Sequence, residues 1–288
     1  MVDAPLVRWQ DACVDTRRFG ELLPSLFESP QAVVPRDRRF RALMDDVEGM
    51  ASENKLALLN LAARLLPEDE AYVEVGSWKG LSTIAAVMGN EAKRFYAIDK
   101  FRECGSADEI LPVLRDNLER WGASGSVSLI QEDAFRALRR AEWLDRPIGV
   151  YFYDGDHGRL AHYLALGMAE PWLADEALVV LDDTSWPVVA SATDSYVGSH
   201  DGYELLFDFE SDREFDPRWW NGVRVYRYCR PSKLVRGPAV DLLWRRTAHL
   251  YAYDPVTWAL FRAARNPTMG TVLRRVLPVQ GRRVKASP

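Results

Sequence analysis

Cysteine and histidine are scarce in this 288-residue chain, three of the first and four of the second. Cys13, Cys104 and Cys229 are scattered and odd in number, with no CxxC or Cys/His spacing around them. That pattern excludes a disulfide framework and a zinc–thiolate site, and points to thiols kept reduced. No apolar run approaches the ~18 residues that a membrane span needs. The opening MVDAPLVRWQDACVDTRR carries charges where a secretory leader needs an apolar core, so a cytoplasmic protein is expected. Phosphate loops are also missing. Lys79 precedes Gly80, the reverse of the Walker order, and G-x-G-x-x-G is absent because Gly76 is followed only by Gly80. A balance of 37 Lys+Arg against 42 Asp+Glu, net −5, argues against a chain that wraps nucleic acid with its whole surface. Repeats and low-complexity tracts are lacking too.

What remains is an ordinary globular mixture, 48% hydrophobic and 27% charged, whose texture changes twice. Residues 1–70 are polar and Pro-punctuated, and their one clear helix is expected over 52–66 (SENKLALLNLAARLL). There Leu56, Leu59, Ala63 and Leu66 share a face at helical spacing. From residue 71 short apolar runs alternate with amphipathic stretches. The runs are AYVEV (71–75), RFYAI (94–98), SVSLI (126–130), PIGVYFY (147–153) and ALVVL (177–181). Between them Leu81, Ile84, Ala85 and Met88 form one stripe, and Leu111, Leu114, Leu118 and Trp121 another. The second stripe is preceded by Ser106-Ala-Asp-Glu109, a capping box in which Ser and Glu side chains satisfy free first-turn N–H groups, and it is closed by Gly122.

Strands alternating with helices predict an α/β fold with a doubly wound, mostly parallel sheet covered on both faces. After Asp183 come a helix-compatible VVASATDSYV and two β-like runs, YELLFDF (203–209) and GVRVYRY (222–228), expected as an antiparallel pair finishing the sheet. The chain therefore reads as N-terminal helices (1–70), a catalytic sheet domain (71–229) and a helical extension (230–288).

In an open α/β sheet ligands bind beyond the carboxyl ends of the strands. Every one of the five runs ends on acid: Glu74-Val-Gly-Ser-Trp-Lys-Gly80, Asp99, Asp133-Ala134, Asp154-Gly-Asp-His157 and Asp182-Asp183. One strand-end Asp is commonly a helix cap, but five in succession suggest more. Gly76 and Gly80 let the backbone pass close to a ligand that carries no phosphate, and Glu74 suits a cationic group nearby. Asp99, 25 residues further on, can accept both hydroxyls of a ribose.

On these motifs residues 50–228 resemble a class I S-adenosylmethionine-dependent methyltransferase. The resemblance implies that Glu74, Gly76, Ser77 and Gly80 line the methionine end of the cofactor. It further implies that Asp99 holds the ribose, and that Asp133 and Ala134 border the adenine. Met50 to Glu53 would close over the cofactor, as in relatives.

The second half of the site has its own chemistry. Asp154 and the Asp182-Asp183 pair offer three carboxylates from two adjacent strand ends, an all-oxygen set for a hard divalent ion such as Mg2+. The methyl donor needs no metal, so the ion would serve the acceptor, binding its hydroxyl and lowering the hydroxyl pKa. His157, three residues after Asp154, could remove that proton. This D-x-x-H plus D-D arrangement resembles the metal-dependent O-methyltransferases of natural-product sugars, such as those acting on macrolide antibiotics. Catechol O-methyltransferase is similar in spacing, but with lysine at the base position and Asp-Asn at the second metal motif. Asp156 stays open as an alternative ligand or as a partner of His157, although the family pattern favours Asp154. The plain alternatives are that Asp182-Asp183 caps the next segment and that His157 is bonded to backbone. His162, His200 and His249 have no partner at ligand spacing. Trp186, just after the acid pair, can stack on an acceptor sugar or ring, whereas Trp219 and Trp220 read as core.

The extension shifts the charge. Residues 230–288 hold 12 Lys+Arg against Asp241 and Asp254 alone, leaving the other 229 residues at −15. Its basic amphipathic stretches suit packing on the acidic domain or on a second copy in a homo-oligomer, or contact with an anionic membrane surface. No motif supports nucleic acid. The expected activity is methyl transfer to a hydroxyl of a small glycosylated or polyhydroxylated acceptor. Its competitors are a metal-independent methyltransferase and a non-catalytic scaffold of the same fold.

Overall fold

The computed structural model describes residues 13–101 and 107–231, with backbone alone at 107–109, and all of them fall within one compact unit. The basic stretch from residue 232 onward, including His249, lies outside the described residues. So do Cys104 and the expected capping box at Ser106–Glu109.

Seven strands form one sheet: β1 (Ala71–Val75), β2 (Arg94–Asp99), β3 (Val127–Gln131), β4 (Ile148–Tyr153), β5 (Leu173–Asp182), β6 (Tyr203–Phe209) and β7 (Val223–Cys229). The order across the sheet is β3-β2-β1-β4-β5-β7-β6. β1 through β5 run parallel, while β7 is antiparallel to both β5 and β6. The seven runs read from sequence thus appear in place, and β5 extends four residues earlier than ALVVL implies. β1 and β4 are buried at every position, as strands covered on both faces must be. The outer strand β6 is half exposed and carries Glu204 and Asp208, charges that discourage pairing with another edge.

The chain steps outward from β1 to β3 and then returns to β4 on the other side of β1. The order reverses between β1 and β4, which opens a crevice at their carboxyl ends. The strand ends stay joined there, since Asp154 N–H donates to Val75 O at 2.9 Å. Gly76 makes this approach possible: it has φ +92°, and a Cβ on it would lie 1.9 Å from the Asp154 carbonyl oxygen.

Eight helices accompany the sheet among the described residues: α1 (Thr16–Leu22), α2 (Arg39–Asp46), α3 (Glu53–Arg64), α4 (Leu81–Val87), α5 (Ala107–Arg120), α6 (Ala134–Arg140), α7 (Arg159–Ala169) and α8 (Pro187–Val197). α3 starts at Ser52, whose side chain caps the Lys55 N–H. The sequence shows a one-faced stripe on α3, yet residues 53 to 63 are all buried. Its apolar face shares a core with the sheet, and α1 and α2 bring Phe19, Phe40 and Leu43 into the same core. Its polar residues are matched one by one. Glu53 meets Arg38 at 3.0 Å, Asn54 donates to Ala32 O at 2.8 Å, and Asn60 donates to Ala85 O and Met88 O at 2.7 Å. Lys55 reaches the end of β5 and belongs to the site below.

Candidate active site

The first half of the crevice is built by the turn after β1 and the ends of β2 and β3. Glu74 is fully buried, accepting from Ser82 Oγ at 2.7 Å and Thr83 Oγ1 at 2.9 Å, with Tyr72 OH at 3.3 Å. Desolvation outweighs these donors and pushes its carboxyl up to about 7. Asp99 closes the β1 turn onto β2: Oδ2 accepts Trp78 N–H at 3.0 Å and Oδ1 accepts Phe101 N–H at 2.8 Å. Burial raises its pKa against those backbone donors. The Lys100 backbone N–H is a third donor to this carboxylate, which leaves it capacity for about one further hydrogen bond. Asp133 caps α6, with Oδ1 accepting from Phe135 and Arg136 N–H, and Oδ2 meets Lys100 Nζ at 2.5 Å. Ala134 opens that helix. Gly80, at φ +92°, precedes α4. Ser77 is buried, and its hydroxyl has no partner among the described residues. A buried free hydroxyl in the turn that follows β1 fits a polar ligand in the crevice.

The second half is built by the ends of β4 and β5. Asp154, His157 and Asp183 each present one ligand atom, and the three atoms lie within 4.8 Å of one another. His157 Nε2 is 2.8 Å from Asp183 Oδ2 and 3.7 Å from Asp154 Oδ1. These are charge-contact distances without hydrogen-bond alignment, so this buried nitrogen has no directional partner among the described residues. Desolvation would lower the His157 pKa, but the two carboxylates outweigh it and raise it to about 10. Asp183 is held below the ordinary range because His157, with Lys55 and Asn221, overcomes its burial. The residue sits in the left-handed region at φ +56°, which turns the chain sharply after β5. Two carboxylate oxygens converging beside an imidazole nitrogen form a cluster whose oxygens fit a divalent cation.

Asp182, read from sequence as a third ligand, stands differently. Lys55 Nζ lies 2.5 Å from its Oδ1 and 2.7 Å from its Oδ2, and Oδ1 also accepts the Asp183 N–H at 2.8 Å. Both side chains of this ion pair are essentially inaccessible. Burial drives the Asp182 carboxyl up, and the ammonium of Lys55 opposes it. Asp156, the alternative to Asp154, is outside the cluster: its Oδ1 accepts the Gly158 N–H at 2.7 Å. Trp186 stands edge-on to His157 with ring centroids 4.9 Å apart, and its indole N–H is buried without a partner among the described residues.

Of the other aromatic candidates, Trp219 is core, stacked 3.9 Å from Phe209, while Trp220 is half-buried against Phe215. Burial lowers His162 to about 3, so it is neutral, edge-on to Tyr153. His200 stacks on Tyr196. The turn between β6 and β7 reaches the same end of the sheet, because Val223 pairs with Asp182. Ser185 N–H donates to Asn221 O at 2.9 Å, and the Asn221 side chain bonds Asp183. Sequence reading missed Lys55 and Asn221. The only signal for Lys55 was its place at the start of an amphipathic helix, one polar residue among Glu53, Asn54 and Asn60, and Asn221 had none.

Residues 73–184 match a family model described as a methyltransferase domain. No curated protein is significantly similar in sequence. Solved structures share the fold. An O-methyltransferase from Bacillus cereus in complex with SAH is 13% identical with a TM-score of 0.52, over 73% of this chain and 97% of that one. Cofactor-bound Rv0187 from MTB is 18% identical with a TM-score of 0.53, over 77% and 100%. The O-methyltransferase TomG from Streptomyces achromogenes, involved in tomaymycin synthesis and in complex with SAM, is 14% identical with a TM-score of 0.50, over 78% and 93%. At such identities the likeness is one of fold, and it agrees with the strand order and the crevice found here. Residues 73–184 thus match a methyltransferase domain, and the chain shares the fold of these solved methyltransferase structures.

Proposed function

We propose that the protein transfers the methyl group of S-adenosylmethionine to a hydroxyl of a small, glycosylated or polyhydroxylated acceptor, with a divalent cation such as Mg2+ held at Asp154 and Asp183. The observation that carries this reading is the convergence of Asp154, His157 and Asp183 at the switch point of the sheet. Its setting adds support, because the Gly76 turn lies against the Asp154 backbone and so brings a cofactor loop next to a cation site. That the Bacillus cereus and Streptomyces achromogenes proteins are O-methyltransferases agrees with oxygen as the nucleophile.

The cofactor would be held by Gly76, Ser77 and Gly80 at its methionine end, by Asp99 at the ribose and by Asp133 and Ala134 near the adenine. Glu74 acts from behind this loop, fixing Ser82 and Thr83 at the start of α4. A bound divalent ion would neutralise the two carboxylates and lower the pKa of an acceptor hydroxyl. With the ion held by Asp154 and Asp183 and its charge offsetting theirs, a neutral His157 would receive the hydroxyl proton at Nε2, which lies 2.8 Å from Asp183 and 3.7 Å from Asp154. Trp186 offers a ring edge beside His157 against which the acceptor is oriented.

The test is release of S-adenosylhomocysteine in the presence of a panel of hydroxylated glycosides and catechols, before and after chelation. Turnover should vanish with EDTA and return with Mg2+ or Mn2+. Turnover unchanged by EDTA would remove the cation from the reading, and turnover only with amine acceptors would remove the hydroxyl.

A further inference from the structure

We infer that Lys55 is a positioning residue for the cation site: it takes Asp182 out of the ligand set and uses it to fix Asp183. This rests on the cation reading above and specifies which of the clustered acids touch the ion.

Burying an ammonium and a carboxylate strips both of water, which a globular protein tolerates only when the geometry satisfies them. Lys55 is 1% exposed and Asp182 is 1% exposed, and the single ammonium bridges both oxygens of the carboxylate. The two residues come from α3 and the last position of β5, 127 positions apart in the chain. Oδ1 of Asp182 has a second task, accepting the backbone N–H of Asp183. That bond sits at the point where Asp183 enters the left-handed region and β5 ends. Lys55 fixes Asp182, Asp182 fixes the Asp183 backbone, and the Asp183 carboxylate is thereby aimed at His157 and Asp154.

The charge arithmetic points the same way. Asp154, Asp182 and Asp183 would confront a divalent ion with three negative charges. With Lys55 paired to Asp182, the carboxylates left to face the ion are Asp154 and Asp183 alone, and a neutral His157 adds no charge to the two that a divalent ion offsets. The α3 end of this strut is anchored as well. Ser52, its capping residue, donates to the Arg218 carbonyl at 2.8 Å, in the turn whose Asn221 holds Asp183 from its side chain. Both acids of the pair are therefore held by residues outside the two strands that carry the cluster. Such outer partners of a metal site typically alter its affinity by about 10- to 100-fold.

The experiment is a calorimetric titration of Mn2+ into the full chain saturated with S-adenosylhomocysteine, for the wild type and for Asp182→Asn, Asp182→Ala, Asp183→Asn and Lys55→Met. Asp182→Asn keeps an oxygen for the Asp183 N–H and for Lys55, so affinity should fall less than about 10-fold. Asp182→Ala removes the strut and should cost about 10- to 100-fold, and Lys55→Met should weaken binding similarly. Asp183→Asn, a direct ligand change, should lose more than about 100-fold. The inference is overturned if Asp182→Asn falls as far as Asp183→Asn, or if Lys55→Met binds Mn2+ more tightly. Either result would make Asp182 a ligand that Lys55 merely occupies. Should Lys55→Met fail to fold, the three aspartate variants decide the matter by themselves. No Mn2+ binding to the wild type would instead overturn the cation reading of Asp154 and Asp183, and the positioning role with it.

Discussion

The two sides of the crevice use the same residue type in opposite ways. On the β1–β3 side each strand-end carboxylate is satisfied by its own chain. Glu74 takes two hydroxyls of α4, Asp99 takes backbone N–H groups of the β1 turn and of Phe101, and Asp133 takes a helix start and Lys100. On the β4–β5 side, Asp154 and Asp183 face each other across His157, whose Nε2 has no aligned partner among the described residues. One side is a finished scaffold that a ligand can enter with little rearrangement. The other brings two carboxylates together around His157, an arrangement with room for a cation. A carboxylate at a strand end therefore says little by itself about its role, and the groups that meet it decide.

Predictions that separate the two sides run from large effects to small. Asp183→Ala should reduce methyl transfer by about 1000-fold, because it removes one half of the acid pair around His157. Its affinity for S-adenosylhomocysteine should stay within about threefold, and a parallel loss of both would merge the two sides into one. Asp99→Ala should weaken S-adenosylhomocysteine about 10- to 100-fold, the worth of a charge-assisted hydrogen bond to a ribose. Cofactor affinity equal to wild type in that variant would leave Asp99 as a purely structural anchor of the Trp78 turn. Trp186→Ala should raise KM for the acceptor about 5- to 10-fold with cofactor affinity unchanged, as for loss of one ring contact. An unchanged KM would return Trp186 to the role of a helix-start residue.

The smallest effect lies at the opposite end of the sheet and serves as a control for both sides. Glu70 is buried, accepts the Val14 N–H at 3.0 Å, and is pushed by desolvation from 4.5 up to about 8. The folded protein therefore holds this proton more tightly than the unfolded chain does. Its contribution to stability is complete below pH 4.5 and is lost as pH rises through about 8. Glu70→Gln should flatten the fall in Tm between pH 5 and pH 9 without altering methyl transfer. Parallel Tm curves for variant and wild type would show that Glu70 ionises as freely folded as unfolded.

The fold was largely legible because each level of the sequence agreed with the next. Short apolar runs such as AYVEV, broken only by Glu74, and IGVYFY fit strands buried on both faces, and the stripes between them supply the covering helices. The β6 and β7 runs, unaccompanied by a helix between them, could only close the sheet as an antiparallel pair. The residues of the site were legible where chemistry sits at a strand end, as with Asp154, His157 and Asp183. What sequence could not show was long-range pairing. Nothing near Lys55 in the chain reveals that its partner is Asp182, and the stripe on α3 conceals that its other face is buried too. Gly76 was read as a point of close approach to a ligand, and the structure adds a second reason for glycine there, since the Asp154 carbonyl stands against it. Asp133 was read as an adenine neighbour, and the structure makes it the cap of α6, two roles that a single acidic letter does not distinguish.

The division of labour between the two sides can be read in one paired measurement. Calorimetric affinities for S-adenosylhomocysteine and for Mn2+ are determined on the full chain for wild type, Asp99→Ala and Asp183→Asn. The account predicts a crossed pattern, with Asp99→Ala losing S-adenosylhomocysteine while keeping Mn2+, and Asp183→Asn losing Mn2+ while keeping S-adenosylhomocysteine. Loss of both ligands in Asp183→Asn, or Mn2+ binding unaltered by it, would contradict the claim that the β4–β5 side is a separate cation site.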